Sequence, residues 1–192
     1  SSRKRPISTL GIGHTRWATH GVPSDANAHP LTDCDHQITL VHNGIVENYL
    51  ALKRDLMSRG HWFESDTDSE VIAHLIEESL ARGESFESSL LHTASLLRGA
   101  SAIGVALNSE PWKLLALRLG HAGGLVVAQG EGEAMLASDL PALVPFAKEV
   151  YFLESGELAI LTQDRVDVID SKGKPVNKVA LPVRQEAAWM DK

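Results

Sequence analysis

Apolar and polar positions change their period twice along this chain. From Leu10 to Trp17 they alternate, with Leu10, Ile12, His14 and Arg16 on one face and Gly11, Gly13, Thr15 and Trp17 on the other, which predicts a strand. Two glycines on one face allow another backbone to come close. Residues Thr19 to Gln37, rich in Pro, Asp, Asn and His, read as a long ordered loop, and "ITLVHN" then reads as a second, buried strand. The period next becomes helical: Ile45, Tyr49, Leu52 and Leu56 share a face, and Gly60 supplies a stop. Thr67 and Glu70 are spaced as a capping box opening a second helix, whose stripe is Ile72, Leu75, Ile76 and Leu80 and whose end is Gly83. Phe86, Leu90, Thr93, Ala94 and Leu97 mark a third helix closed by Gly99. The period of two then returns in "SAIGVALN", "WKLLALRL", "GLVVAQG", "AMLASD", "EVYFLESGELAILT" and "RVDVIDSKGKPV", with tight turns at Ser155-Gly156 and around Lys172-Gly173. Helices and strands kept in blocks predict an α/β (α+β) sandwich with helices outside stacked sheets, not a doubly wound parallel sheet.

At 192 residues and 43% hydrophobic content, the chain suits one compact domain over 1–192, or a domain with a small appendage. A net charge of -7 and a pI near 5.7 exclude nucleic acid or an anionic membrane as the main partner, because such surfaces are basic. No apolar run reaches the length of a membrane span, and "SSRKRPISTLGIG" lacks the continuous apolar stretch of a signal peptide, so a soluble, cytoplasmic protein is expected. One cysteine, Cys34, excludes an intramolecular disulfide framework and a multi-cysteine zinc site.

The densest polar run is "HTRWATHG", His14 to Gly21. The net charge argues against a basic binding strip, which leaves a metal cluster or the wall of a pocket. The histidines at 14, 20, 29, 36 and 42 include no close helical pair of the zinc-protease kind, so pocket lining and ordinary hydrogen bonding account for them, and neither metal nor cofactor is expected. Cys34 lies between Asp33 and Asp35, which oppose thiolate formation, and reads as an ordinary loop cysteine. Asn43-Gly44 suits a two-residue hairpin turn, yet a helix follows it; a side-chain amide and a glycine N–H at that point could instead converge on an oxyanion. Arg16 could form a structural ion pair or grip a carboxylate with its planar fork. In "ESDTDSE" the carboxylates could merely oppose a helix dipole, or Asp66 or Asp68 could hold a substrate ammonium. Arg16 for a carboxylate, Asp68 for an amine and Asn43 with Gly44 for a developing oxyanion would together suit glutamine.

The stretches "GIGHTRWATHGVPSDANAHP", "VHNGIVENY", "SDTDSEVIAHLI", "LRGASAIGVAL" and "LASD" resemble, in order from about Gly11 to the chain end, the glutaminase domain of the glutamine:fructose-6-phosphate amidotransferases, the glucosamine-6-phosphate synthase family. The resemblance implies a class II glutamine amidotransferase with the N-terminal-nucleophile hydrolase fold, a four-layer α/β/β/α sandwich, here N-terminally incomplete. By the same resemblance, Arg16 matches the ligand of the glutamine carboxylate, with Thr19 and His20 shaping that end of the pocket. Asn43 and Gly44 match the oxyanion hole, Asp68 the carboxylate that binds the α-ammonium, and Trp17 a tryptophan that gates ammonia passage. Implied partners are glutamine and a sugar-isomerase domain of the same full-length chain, towards which residues 181–192 lead, and a homodimer when full length.

Two departures accompany the match. The family's nucleophile is a cysteine at the processed N-terminus, whereas this chain starts at Ser1 with a basic leader, so the chain as it stands is expected to hydrolyse no glutamine. The segment Gly120–Gly124 reads Gly-His-Ala-Gly-Gly where the family carries Gly-Ser-Pro-Leu, and contacts made there are not carried over. The leading expectation is a glutaminase supplying ammonia for conversion of fructose 6-phosphate to glucosamine 6-phosphate. The alternatives are a glutamine-binding module without hydrolysis and a metal-assisted hydrolase using the histidines.

Overall fold

Among the described residues, ten strands and three α-helices follow one another in blocks, as the periods predict. A computed structural model describes residues 9–15, 22–121 and 124–183. The elements are β1 (Leu31–Thr32), β2 (Ile38–Gly44), α1 (Tyr49–Ser58), α2 (Glu70–Ala81), α3 (Phe86–Leu96), β3 (Ser101–Leu107), β4 (Lys113–Leu119), β5 (Val126–Gln129), β6 (Ala134–Ala137), β7 (Glu149–Phe152), β8 (Leu158–Thr162), β9 (Val166–Ile169) and β10 (Leu181–Pro182). A short 3-10 turn, Leu140–Ala142, with a proline in its first turn, joins β6 to β7.

All strand pairing is antiparallel, in a six-stranded sheet ordered β1-β2-β3-β4-β8-β9 and a four-stranded sheet ordered β10-β7-β5-β6. One face of the large sheet carries bulky residues, Ile38, Leu40, Ile103, Val105, Leu115 and Leu117, which bury against Val71, Ile72, Leu75, Ile76, Phe86 and Leu90 of α2 and α3. Each such side chain removed from water contributes about 1.5–3 kcal/mol, so this interface is the main core. The opposite face is built of smaller residues, Ala102, Ala116 and Ala159, against Leu125, Val127 and Leu153 of the second sheet's side. Central strand β3 is buried on both faces, which explains its nearly continuous apolar run. The outer face of the small sheet, Val126, Ala128 and Val150, is covered by Leu143 and Ala147. Among the described residues the helices therefore lie on one side of the stack, and only the turn-rich segment 140–147 covers the other.

Two local expectations are corrected and one turn acquires a tertiary meaning. Residues 9–15 carry no strand; two glycines in that short stretch add backbone entropy and supply no side chains to pack, and β2 is flanked instead by β1 and β3. The tight turn expected at Ser155-Gly156 is present, Gly156 having φ +87, and across it the chain crosses between layers, β7 belonging to the small sheet and β8 to the large one. Finally, Thr67 and Glu70 form no capping box. Glu70 accepts the backbone N–H groups of Glu64 and Ser65, both at 2.7 Å, and Thr67 Oγ1 pairs with Ser65 Oγ at 2.9 Å.

Candidate active site

Strand alternation sorts the end of β2 onto two faces. Ile38 and Leu40 point at the helices, and so does His42; Val41 and Asn43 point between the sheets. There a cavity of about 380 Å³ opens, walled by Val41 and Asn43, by Gly13–Thr15, and by Gly124, Leu125 and Leu136–Ser138 from the small-sheet side. Small residues keep it open. A Cβ on Gly104 would press on Val41 and Leu136 at 3.2 and 3.3 Å, and one on Gly124 would collide with the Ser138 carbonyl. A larger cavity, about 590 Å³, lies elsewhere between the layers, lined by Trp112, Leu114 and Leu161, with Glu133 the one ionisable side chain among its described lining residues. The chemistry gathers in the smaller one.

Asn43 is held by its Oδ1, which accepts a hydrogen bond from His14 Nε2 at 2.8 Å; that ring in turn packs on His29, centroids 4.7 Å apart. With the amide oxygen engaged by His14, the Nδ2–H groups are the donors Asn43 has left to offer. Gly44 follows with φ +141, and a Cβ there would strike the Ala100 carbonyl, so only glycine fits both the backbone angle and the space. Asp68 is buried and stands just past this pair: its Oδ2 accepts the Val46 N–H at 2.7 Å, which fixes the chain where β2 gives way to the turn before α1.

Beneath Asn43 a second polar chain ties the layers together. His42 Nδ1 pairs with Ser69 Oγ at 2.8 Å and its Nε2 with Ser101 Oγ at 3.0 Å. Burial pushes the imidazole down to about 4, with Asp68 opposing the shift and His14 adding to it, so the ring is neutral at pH 7.

Of the residues singled out from sequence, Asn43 lines the cavity, Gly44 follows it in the chain, and Asp68 bonds Val46 two residues further on, outside the cavity lining; Arg16, Trp17, Thr19 and His20 lie outside the described residues. Asp66 is exposed and its N–H donates to Asn27 Oδ1 at 2.8 Å. His36 turns to Thr32 Oγ1 at 2.8 Å, away from the cavity. The positioning contacts of His14, Ser69 and Ser101 carry no local spacing signal; only the parity of β2 pointed at which side chains face the cavity. Cys34 does not line the cavity. It sits by the helix layer, its Sγ 3.6 Å from both His61 Nδ1 and His74 Nδ1, with the thiol pushed up by burial and then by Glu77 and Asp33. That setting is more specific than the ordinary loop position expected of it.

Comparison with known proteins places this geometry. The family of glutamine amidotransferase domains matches residues 6–151. The isomerizing glutamine–fructose-6-phosphate aminotransferase of Thermococcus kodakarensis is 50% identical over 175 residues, which is 88% of this chain and 29% of that protein. The Thermus thermophilus enzyme of the same name is 49% identical over 181 residues, 94% of this chain and 29% of its own length. Among solved structures, the glutamine phosphoribosylpyrophosphate amidotransferase of B. subtilis, complexed with ADP and GMP, matches with a TM-score of 0.67 at 25% identity, covering 82% of this chain and 34% of that one. A glutamine aminotransferase class-II domain protein from Silicibacter pomeroyi matches at a TM-score of 0.51 and 16% identity over 70% of this chain and 68% of its own, a likeness of fold alone. The chain belongs to the glutamine amidotransferase domain family, and its layered antiparallel sheets are those of the N-terminal-nucleophile hydrolase amidotransferases. It spans about 29% of the length of the aminotransferases it matches. Among the described residues no helix is long and apolar enough to cross a membrane.

Proposed function

We propose that this chain is the glutaminase part of an isomerizing glutamine–fructose-6-phosphate aminotransferase. Glutamine enters the cavity of about 380 Å³ with its side-chain amide towards Asn43 and Gly44. As the carbonyl becomes tetrahedral, Asn43 Nδ2–H and the Gly44 N–H donate to the developing oxyanion. Asp68 receives the α-ammonium, Arg16 clamps the α-carboxylate through two parallel hydrogen bonds, and Thr19 and His20 shape that end of the pocket. The attacking thiol implied by the family resemblance is not Cys34, which lies outside the cavity. Trp17 gates the released ammonia towards a sugar-isomerase domain in the same full-length chain, where it aminates fructose 6-phosphate to glucosamine 6-phosphate. The full-length protein works as a cytoplasmic homodimer.

The observation that carries this reading is the setting of Asn43: it lines the cavity with its amide oxygen engaged by His14, which leaves its Nδ2–H groups as the donors on offer. In the full-length protein, Asn43→Ala should lower the turnover of glutamate formation by on the order of a hundredfold while leaving KM for glutamine nearly unchanged, because the interaction forms in the transition state. Steady-state kinetics of glutamate release decide it. A raised KM at constant turnover would make Asn43 a binding residue and overturn the assignment.

A further inference from the structure

Three segments distant in sequence converge on one point on the helix side of the large sheet. Cys34 comes from the turn between β1 and β2, His61 from the connection between α1 and α2, and His74 and Glu77 from one face of α2, three residues apart. Cys34 Sγ lies 3.6 Å from Nδ1 of His61 and 3.6 Å from Nδ1 of His74. Glu77 Oε2 lies 3.1 Å from each of the same two nitrogens. One sulfur, two nitrogens and one oxygen thus surround a common centre, all within 4.8 Å of one another.

We propose that Cys34, His61, His74 and Glu77 form a structural site for a divalent zinc ion. Zinc binds thiolate sulfur at about 2.3 Å and imidazole nitrogen or carboxylate oxygen at about 2.0–2.2 Å in a tetrahedron, so its ligand atoms stand about 3.3–3.6 Å apart. Four of the six separations, at 3.6 and 3.1 Å, lie within a few tenths of an ångström of that cage, and the remaining two are within 4.8 Å, a span that closing on an ion would shorten. The outer contacts fit as well. His61 Nε2 faces Glu78 Oε1 within hydrogen-bond reach at 3.2 Å, and His74 Nε2 stands 3.6 Å from Glu70 Oε1, just beyond that reach, so each imidazole would turn Nδ1 to the metal and point Nε2–H at a carboxylate. Carboxylates only accept, and here they face both nitrogens of both rings. A neutral imidazole satisfies one such neighbour; the other is met by a second proton, which against its burial Glu70 and Glu77 favour on His74, or by a metal on Nδ1, which would replace that proton. Glu78 is itself paired with Arg59 at 2.9 Å, and Glu70 is held by the backbone N–H groups of Glu64 and Ser65, so the outer shell is fixed in place.

Four protein ligands close the coordination sphere, which marks a structural and not a catalytic ion. Its effect would be to clamp the β1–β2 turn and the α1–α2 connection onto α2. That helix begins directly after Asp68 and Ser69, whose side chains hold Val46 and His42 beside the candidate active site, so the ion would brace the site from behind without touching substrate.

The test uses the full-length protein expressed in zinc-supplemented medium, dialysed, and assayed for metal by mass spectrometry. One zinc per chain is expected, and Cys34→Ala, a change in a partly exposed turn, should lose it. Replacement by Co²⁺ should give a thiolate-to-cobalt charge-transfer band and intense visible bands of tetrahedral cobalt, with the charge-transfer band absent in Cys34→Ala. Removing the metal should lower Tm by roughly 5–15 °C for an ion held far below its working concentration. His61→Ala, at a connection, should weaken zinc retention in the same assay. Absence of stoichiometric zinc together with a Tm indifferent to added Zn²⁺ would overturn the site, leaving a hydrogen-bonded cluster. Equal zinc content in Cys34→Ala and the parent would overturn it too, because the metal would then be held elsewhere.

Discussion

A neutral imidazole underlies the candidate oxyanion hole, and its protonation couples the site to folding. His42 spans Ser69 and Ser101, and burial holds its ring at about 4 against about 6.5 in an unfolded chain. The folded value lies below the unfolded one, so the unfolded state takes up the proton first. The stabilisation is complete above about pH 6.5 and is lost as pH falls towards 4, by roughly 3 kcal/mol across that window. Chemical denaturation of the protein and of His42→Gln, repeated from pH 4 to pH 7, should show a stability difference that shrinks as the solution is acidified. A difference independent of pH would mean that the ring is not held neutral. Residues of this kind are only partly legible in sequence: alternation along β2 puts His42 opposite Asn43, but nothing local says that two serines from α2's approach and from β3 will meet its two nitrogens.

At the scale of elements, the start of α2 is the instructive case. Its apolar positions predict the helix correctly, with Val71, Ile72, Leu75 and Ile76 all buried, yet the helix opens without the side-chain cap that Thr67 and Glu70 suggest. Glu70 instead folds back on the preceding turn and accepts the N–H groups of Glu64 and Ser65; burial alone would push its carboxyl up, but these contacts and that with His74 bring it below the usual range. Glu70→Ala removes both acceptors and leaves the buried Ser65 N–H and the part-buried Glu64 N–H unsatisfied, which should cost about 2–3 kcal/mol, and Glu70→Gln, with one acceptor oxygen, should recover part of it. Denaturant titration gives the answer. A loss below about 1 kcal/mol for the alanine variant would show that solvent satisfies these groups and that the turn is not held by Glu70.

For the whole molecule, the proposed route of ammonia gives a prediction that folding effects cannot imitate. If the Trp17 indole gates transfer, Trp17→Ala in the full-length protein should leave glutamate formation largely intact while aminosugar formation falls, so that the ratio of the two products departs from one and free ammonia escapes. Were Trp17 only a packing residue, truncation would cost about 3–5 kcal/mol and reduce both activities together. Glutamate, aminosugar and ammonia measured on one sample, beside a melting curve, separate the outcomes.

The block order of helices and strands, the run of short strands after Ser101 and the glycine stops are local properties, set by which side chains can share one face at a period of two or 3.6, and the sequence by itself determined them. So did Asn43-Gly44 at the end of a buried strand, because the change of period after Gly44 is visible without coordinates. What only the tertiary structure decided is who meets whom across layers. β7 and β8 are joined by a tight turn but part into different sheets, because a turn does not specify which layer receives the next strand. Asp68 reaches Val46 across 22 residues, and Cys34 reaches His61 and His74 across 27 and 40. None of these pairs shares a helix face or a strand register, so no periodicity encodes them. They meet because α2 is pressed onto the large sheet by its apolar face, and that packing carries the polar groups at its start and along its flank to the end of β2 and to the β1–β2 turn.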